Sequence, residues 1–272
     1  MKPIIRVFPR RTSLTPSDPY AFVGDPPLWR PEAEQVLVSC CFIWDKGEAL
    51  RLQQAWGQYY RHVELGGPAF GSDGEFVPGQ FVKQGVTFTT RGCNSRCPWC
   101  LVPEREGRLR ELPITPGYII QDNNLLQASR GHIEQVFAML RSQRKAAVFS
   151  GGLEAALMTD WVAEELQGLR IDSLFLACDT EAGLKPLRKA FTKLSFLPRR
   201  KLRCYVLIGF QGESIGEAEA RLEAVWEAGA LPFSQLYQPA DSWIEYSPAW
   251  KALDRTWSRP AAMFAEHRES PP

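Results

Sequence analysis

His132-Ile-Glu-Gln-Val-Phe-Ala-Met-Leu-Arg141 places apolar residues at Ile133, Val136, Phe137 and Leu140, and five residues later Ala146-Ala-Val-Phe149 forms a short apolar run. The spacing of three and four makes one buried helical face, and the bounded run after it has strand length. The same unit recurs on either side. Strands are predicted at Val86 to Thr90, Tyr118 to Gln121, Ala146 to Phe149, Ser173 to Cys178, Leu202 to Ile208 and Phe233 to Tyr237. Between them, Thr159 caps a helix over Asp160 to Leu169, and a further helix covers Thr180 to Leu194. Ser214-Ile-Gly-Glu217 is a capping box for a helix that carries Leu222, Val225 and Trp226 and stops at Gly229. Strands that alternate with helices predict an α/β fold with a parallel sheet and crossover helices.

The region before this set is less regular. Residues 12 to 31 hold five prolines and read as an irregular lead-in. Val36 to Trp44 has strand length, Asp45 stands as an N-cap for a helix over Lys46 to Tyr60, and His62 to Leu65 is a second strand ending at Gly66-Gly67. Strand, helix, strand is too few elements for a complete domain. Gly66 to Gly85 contains Gly66, Gly67, Gly71, Gly74, Gly79 and Gly85 and is the candidate linker or binding loop. The expected organisation is therefore a lead-in with a short α/β segment over 1–84, a main α/β domain over 85–238, and a Trp-rich extension over 239–272.

The chain has 272 residues and a net charge of +1, which removes bulk electrostatics as an argument for nucleic acid or acidic membranes. Met1 to Arg11 holds no apolar leader core, and Val36 to Trp44 is far short of the ~20 residues of a membrane span, so the expectation is a cytoplasmic protein without a membrane partner. Seven cysteines is an odd number, which points to reduced thiols or metal ligation rather than a disulfide framework. No Walker loop, HExxH run or Ser/His/Asp set occurs.

Three of the thiols fall in Thr89-Thr-Arg-Gly-Cys93-Asn-Ser-Arg-Cys97-Pro-Trp-Cys100, directly after the first strand of the alternating set. An α/β fold presents its ligand edge there. A zinc knuckle wants a fourth ligand, which the neighbourhood lacks. A dithiol redox site at Cys97 and Cys100 wants a continuous helix after the first thiol, which Pro103 and Gly107 oppose, and it leaves Cys93 without a role. Three thiolates can also hold three irons of a [4Fe–4S] cube and leave the fourth open to a small chelating ligand.

Cys93-x-x-x-Cys97-x-x-Cys100, with the aromatic Trp99 before the third thiol, resembles the signature of the radical SAM superfamily. The resemblance implies that Cys93, Cys97 and Cys100 ligate a [4Fe–4S] cluster whose open iron takes S-adenosylmethionine, with Trp99 beside the cofactor. It also implies an electron donor such as flavodoxin or ferredoxin, and a six-stranded partial (β/α) barrel of TIM-like type. Ser150-Gly151-Gly152-Leu-Glu154 resembles the family's Gly-Gly-Glu motif, with Leu153 inserted; a strand-ending turn is the other reading. Asp179 stands where the family places a polar residue on the ribose, or else caps the next helix. Ile208, Gly209 and Gly212, in Val206-Leu-Ile-Gly-Phe-Gln-Gly-Glu213, resemble the fifth-strand motif that supports adenine, or else form an ordinary turn into the next helix. Thr90 to Glu104 is similar to the MiaB- and elongator-type subgroup. Gln121-Asp122-Asn123-Asn124 resembles that subgroup's Asp-Asp-Asn, which implies Asp122 and Asn123 at the active site, although Asn and Asp also form turns. The subgroup's flanking domains are not matched: residues 34 to 80 read as a short degenerate Rossmann-like segment without a cobalt-ligating Asp-x-His-x-x-Gly or a second cysteine trio.

Tyr237 and Gln235, on the sixth strand, are candidates for substrate contact or hydrogen donation, with Tyr237 placed in the catalytic set. Arg91, Arg96, Arg105, Arg108 and Arg110, together with Arg199, Arg200, Lys201 and Arg203, read as one phosphate-binding patch, a solvated charged face being the alternative. Nucleic acid, a peptide or a small metabolite stand as substrate classes. A noncatalytic iron–sulfur or zinc-binding interaction protein on the same fold is the rival function. Cys40, Cys41, Cys178 and Cys204 read as reduced core thiols.

Overall fold

A computed structural model describes residues 3–71 and 76–267; Gly74 of the glycine-rich loop lies outside the described residues. The chain divides into two compact units, Met1–Val86 and Thr87–Pro272.

The first unit holds β1 (Ile4–Phe8), β2 (Ala21–Val23), β3 (Gln35–Ser39), α1 (Lys46–Gly57) and β4 (Val63–Gly66), with strand order β2-β1-β3-β4 and every pairing parallel. It is richer than the strand, helix, strand expected, because β1 and β2 add to it. The polar Arg6 interrupts the apolar run of β1, yet it is buried because its guanidinium donates to Gln80 O at 2.9 Å and to Gly79 O at 3.2 Å, and pairs with Asp18. The strand expected over Val36 to Trp44 stops at Ser39, and a 3-10 turn at Ile43–Asp45 leads into α1. Asp45 makes no side-chain cap; its carboxylate is forked onto the guanidinium of Arg10 instead. The core gathers Ile5, Val7, Val38, Leu52 and Trp56. Trp56 is fully buried, worth about 2–3 kcal/mol of transfer free energy, and its indole N–H finds Gly24 O at 3.1 Å.

The larger unit begins within β5 (Val86–Thr87) and contains β6 (Thr90–Arg91), α2 (Val102–Glu106), β7 (Arg110–Glu111), β8 (Ile119–Ile120), α3 (Arg130–Ser142) and β9 (Ala147–Leu153). It continues with α4 (Asp160–Gln167), β10 (Ile171–Ala177), α5 (Leu184–Lys193), β11 (Leu202–Ile208), α6 (Ile215–Glu227), β12 (Leu231–Leu236), α7 (Pro248–Trp257) and α8 (Pro260–Glu266). Six strands form a parallel sheet in the order β12-β11-β10-β9-β8-β5, so each crossover advances by one strand. The fold class is α/β with parallel sheets.

Several helix starts follow from their caps. Ser129, Thr159 and Ser214 each accept the backbone N–H three residues on, and the capping box at Ser214 and Glu217 is complete. Along β11, Leu202, Cys204, Val206 and Ile208 are buried under the helices, in one core with Val136, Leu166, Leu187 and Val225. The opposite face of the sheet carries a half-buried aromatic trio, Phe175, Tyr205 and Phe233, with ring centroids 4.7 to 6.3 Å apart. The Trp-rich tail becomes α7 and α8, which bury Leu253, Trp257, Met263 and Phe264 in the same core as α6. Among the described residues no helix is long and apolar enough to cross a membrane.

Candidate functional site

Because the six strands are parallel and consecutive, the residues that follow them share one sheet edge. That edge receives the cysteine loop after β5, Gln121 to Asn124 after β8, Glu154 after β9, Asp179 after β10, Gly209 to Glu213 after β11, and Tyr237 after β12.

The expected strand over Val86 to Thr90 breaks after Thr87, because Thr89 is held from several sides. Its backbone N–H donates to Asp122 Oδ1 at 2.6 Å, its hydroxyl donates to the other carboxylate oxygen, and its carbonyl accepts Leu112 N at 2.9 Å and His132 Nε2 at 2.9 Å. The chain then turns into the hairpin of β6 and β7, with the three cysteines and α2 in its loop. Asp122, expected among the catalytic residues, is 1 % exposed and has both oxygens committed to Thr89. It anchors the root of the loop. Burial pushes its carboxyl above the usual range, and the Thr89 donors hold it back. Asn123 does the same job one residue on, its Oδ1 accepting Gly92 N at 3.1 Å.

Cys93, Cys97 and Cys100 are half-buried. Burial pushes the thiols of Cys97 and Cys100 up; Cys93 and Asp179 push the same way on both, Cys100 and Glu154 do so on Cys97, and the Val102 backbone N–H holds Cys100 back. Among the described residues, no group of three His, Cys, Asp or Glu side chains is placed to hold a single metal ion. Glu154 joins the loop to the sheet. Its Oε2 accepts Asn124 Nδ2 at 2.7 Å, Gln127 Nε2 at 3.0 Å and Ser95 Oγ at 3.5 Å, while Gln127 Oε1 accepts Asn94 N at 2.7 Å. No motif marks Gln127 or Ser95 in the sequence. A lone glutamine between the apolar Leu125-Leu126 and Ala128 was the available signal. Asn124 is buried, its amide lies 4.0 Å from Cys93 Sγ, and its Oδ1 accepts no hydrogen bond among the described residues.

Gly151 and Gly152 do not end β9 in a turn. The strand continues to Leu153, and Phe149 and Leu153 pair with Leu174 and Leu176, so the segment between them bulges out of register. A Cβ on Gly151 would lie 2.0 Å from Asp122 O, and Gly152 has φ +92°. Glycine is required at the first by close approach and at the second by conformation. Gln121 Nε2 and Tyr205 Oη donate to Ser150 Oγ and Ser150 O at 2.6 and 2.8 Å and fix the bulge.

Asp179 caps no helix; Thr180 caps the 3-10 turn at Glu181–Gly183, and α5 begins only at Leu184. Asp179 Oδ1 accepts Leu207 N at 2.9 Å, and the Trp99 side chain donates to the same carboxylate. Burial raises its pKa, opposed by these donors and by Arg221. Trp99 also meets Phe210 edge-on at 5.5 Å, and Phe210 meets Tyr237 at 4.8 Å, so one aromatic row links the cysteine loop to the ends of β11 and β12. Ile208 is buried in the core. Gly209 N donates to Glu213 Oε2 at 2.8 Å, and Glu213 pairs with Arg221. Phe210, Gly212, Glu213, Glu181 and Arg221 line an open cavity of about 570 Å³. Gln235 is exposed.

Two expectations are corrected. Arg91 to Arg110 follow β5, whereas Arg199 to Arg203 lie at the start of β11, so in a parallel sheet they occupy opposite edges and are not one patch. Cys41 is exposed, unlike the buried Cys40, Cys178 and Cys204. A scan against protein-family models finds no match, and a search of curated proteins finds no relative.

Proposed function

We propose that this chain is a radical SAM enzyme, with Cys93, Cys97 and Cys100 holding one [4Fe–4S] cluster at the edge where the six strands end. The carrying observation is the company the three thiols keep: Glu154, Asn124 and Asp179 come from three successive strand ends, and no fourth sulfur stands in the loop. That donor set fits a cluster needing three thiolates and one small chelating ligand. Held by those three thiolates, such a cluster would supply one-electron reductive cleavage of S-adenosylmethionine, with hydrogen abstraction from substrate as its outcome.

The chain's own groups divide the remaining work. Asn124 Oδ1, buried and accepting nothing among the described residues, offers an acceptor to the ammonium of the methionyl part, with the Glu154 carboxylate next to it. Gly151 and Gly152 leave the bulged backbone bare for close approach. Asp179 offers its second oxygen to ribose hydroxyls, and the cavity beside Phe210 to Glu213 has room for a base. Phe210, Trp99 and Tyr237 keep water from the reacting end. Curvature of the sheet into a partial barrel would enclose the Phe175, Tyr205 and Phe233 face. A flavodoxin- or ferredoxin-like donor would supply the electron, and a nucleic acid, a peptide or a small metabolite would be the substrate.

Anaerobic reconstitution tests the reading. The intact chain should take up about four irons and four sulfides, and Cys93→Ala should lose the cluster. Uptake of one zinc in place of iron, or a cluster that survives Cys93→Ala, refutes it.

A further inference from the structure

The edge opposite the cysteine loop carries a separate concentration of charge. Residues 141–145, 168–172 and 198–203 lead into or begin β9, β10 and β11, three adjacent strands. They contain Arg141, Arg144, Lys145, Arg170, Arg199, Arg200, Lys201 and Arg203 against the single carboxylate of Asp172, in a chain whose remaining residues carry more Asp and Glu than Lys and Arg. The loops are stitched to one another: Arg170 donates to Gln143 O, and Lys201 Nζ donates to Ile171 O at 2.7 Å. Arg141 is taken by Glu165. Among the described residues, Arg144, Lys145, Arg170 and Arg200 are exposed and make no ion pair.

Cations drawn together without counter-charges repel one another, so a strip of them is stabilised by an anionic partner. Neighbouring strands lie about 4.8 Å apart, which sets the loops on the scale of successive phosphates, about 3.4 Å of axis each along one nucleic-acid strand. None of the strongly exposed large apolar side chains belongs to these loops, so the strip lacks the anchors of a membrane-binding surface. We propose that this edge of the large sheet binds the phosphate backbone of a nucleic acid, independently of what the cysteine loop does.

The test is fluorescence anisotropy of the full chain with a labelled mixed-sequence single-stranded RNA, titrated across about 50 to 200 mM salt. Arg144→Glu with Arg200→Glu removes two cations that make no ion pair among the described residues, so the protein should melt as before. The double change should weaken binding about tenfold or more and lower the log–log salt slope by about 1.4, at ~0.7 for each phosphate left without its cation. The same charge reversal outside the three loops, Lys185→Glu with Lys189→Glu on the exposed side of α5, should leave affinity within about threefold. Equal weakening by both pairs, no binding to RNA, or binding to anionic phospholipid vesicles in preference to RNA would each overturn the proposal.

Discussion

Gly67 and Gly151 perform the same mechanical task in two different sheets, with different consequences. At Gly67, just past β4, an added Cβ would lie 2.6 Å from Cys40 O; at Gly151, in β9, it would lie 2.0 Å from Asp122 O. Each lets a strand end press against the backbone of its neighbour. In the small sheet the contact closes the edge, since Cys40 N donates to Gly66 O, Ala69 N donates to Cys40 O, and Arg10 neutralises Asp45. In the large sheet it opens one, with a bulge, a buried acceptor at Asn124 and three thiols beside it. A glycine pair therefore does not mark a site by itself; the polar groups gathered around it do.

The largest expected effect comes from filling the tighter contact. Gly151→Ala should cost about 3 kcal/mol or more, because the overlapping atoms are backbone of β8's end and cannot swing away. Urea unfolding measures it, and iron uptake should fall with it. Gly67→Ala should cost about 2 kcal/mol through overlap with Cys40 and its φ of +97°, and should leave iron uptake intact. That split is the sharpest statement of the comparison, and equal loss of iron in both variants would erase it. Gly152→Ala meets only Tyr205 at 3.8 Å, so it carries conformational strain alone, about 1 kcal/mol by the same measurement.

The smallest effect concerns Asp122. Its folded-state pKa is raised, so the native state holds this proton more tightly than the unfolded chain does. Stability from this group is therefore full below the ordinary aspartate pKa of about 3.9 and declines as pH rises from there through the raised value. Asp122→Asn, which keeps an acceptor for Thr89 N, should flatten that decline in denaturation midpoints across acidic pH. A decline that persists unchanged in the variant would assign it to other carboxyls.

Much of this architecture is legible in the sequence where the signal is local. β11 is read to the residue because Leu202, Cys204, Val206 and Ile208 alternate cleanly, and α6 because Ser214 and Glu217 form a capping box. The misses depend on distant partners. β1 hides because the cation of Arg6 finds its acceptors more than seventy residues away. Asp122 reads as a free carboxylate until Thr89, thirty-three positions earlier, takes both its oxygens. Gln127 looks like a loop residue until it spans Ser95 and Glu154. Gly151-Gly152 reads as a stop because a bulge and a turn share the same residues. The placement of the two arginine groups on opposite edges was within reach, since one follows its strand and the other begins one.

The central claim is that the large sheet's open edge performs chemistry which the small sheet's closed edge cannot. Its most direct test is reduced, reconstituted protein incubated anaerobically with S-adenosylmethionine, with nucleoside products resolved by chromatography. The account predicts 5′-deoxyadenosine and methionine in equal amounts, abolished by Cys97→Ala. Intact S-adenosylmethionine over a fully loaded cluster would contradict it and leave an iron–sulfur protein without this reaction.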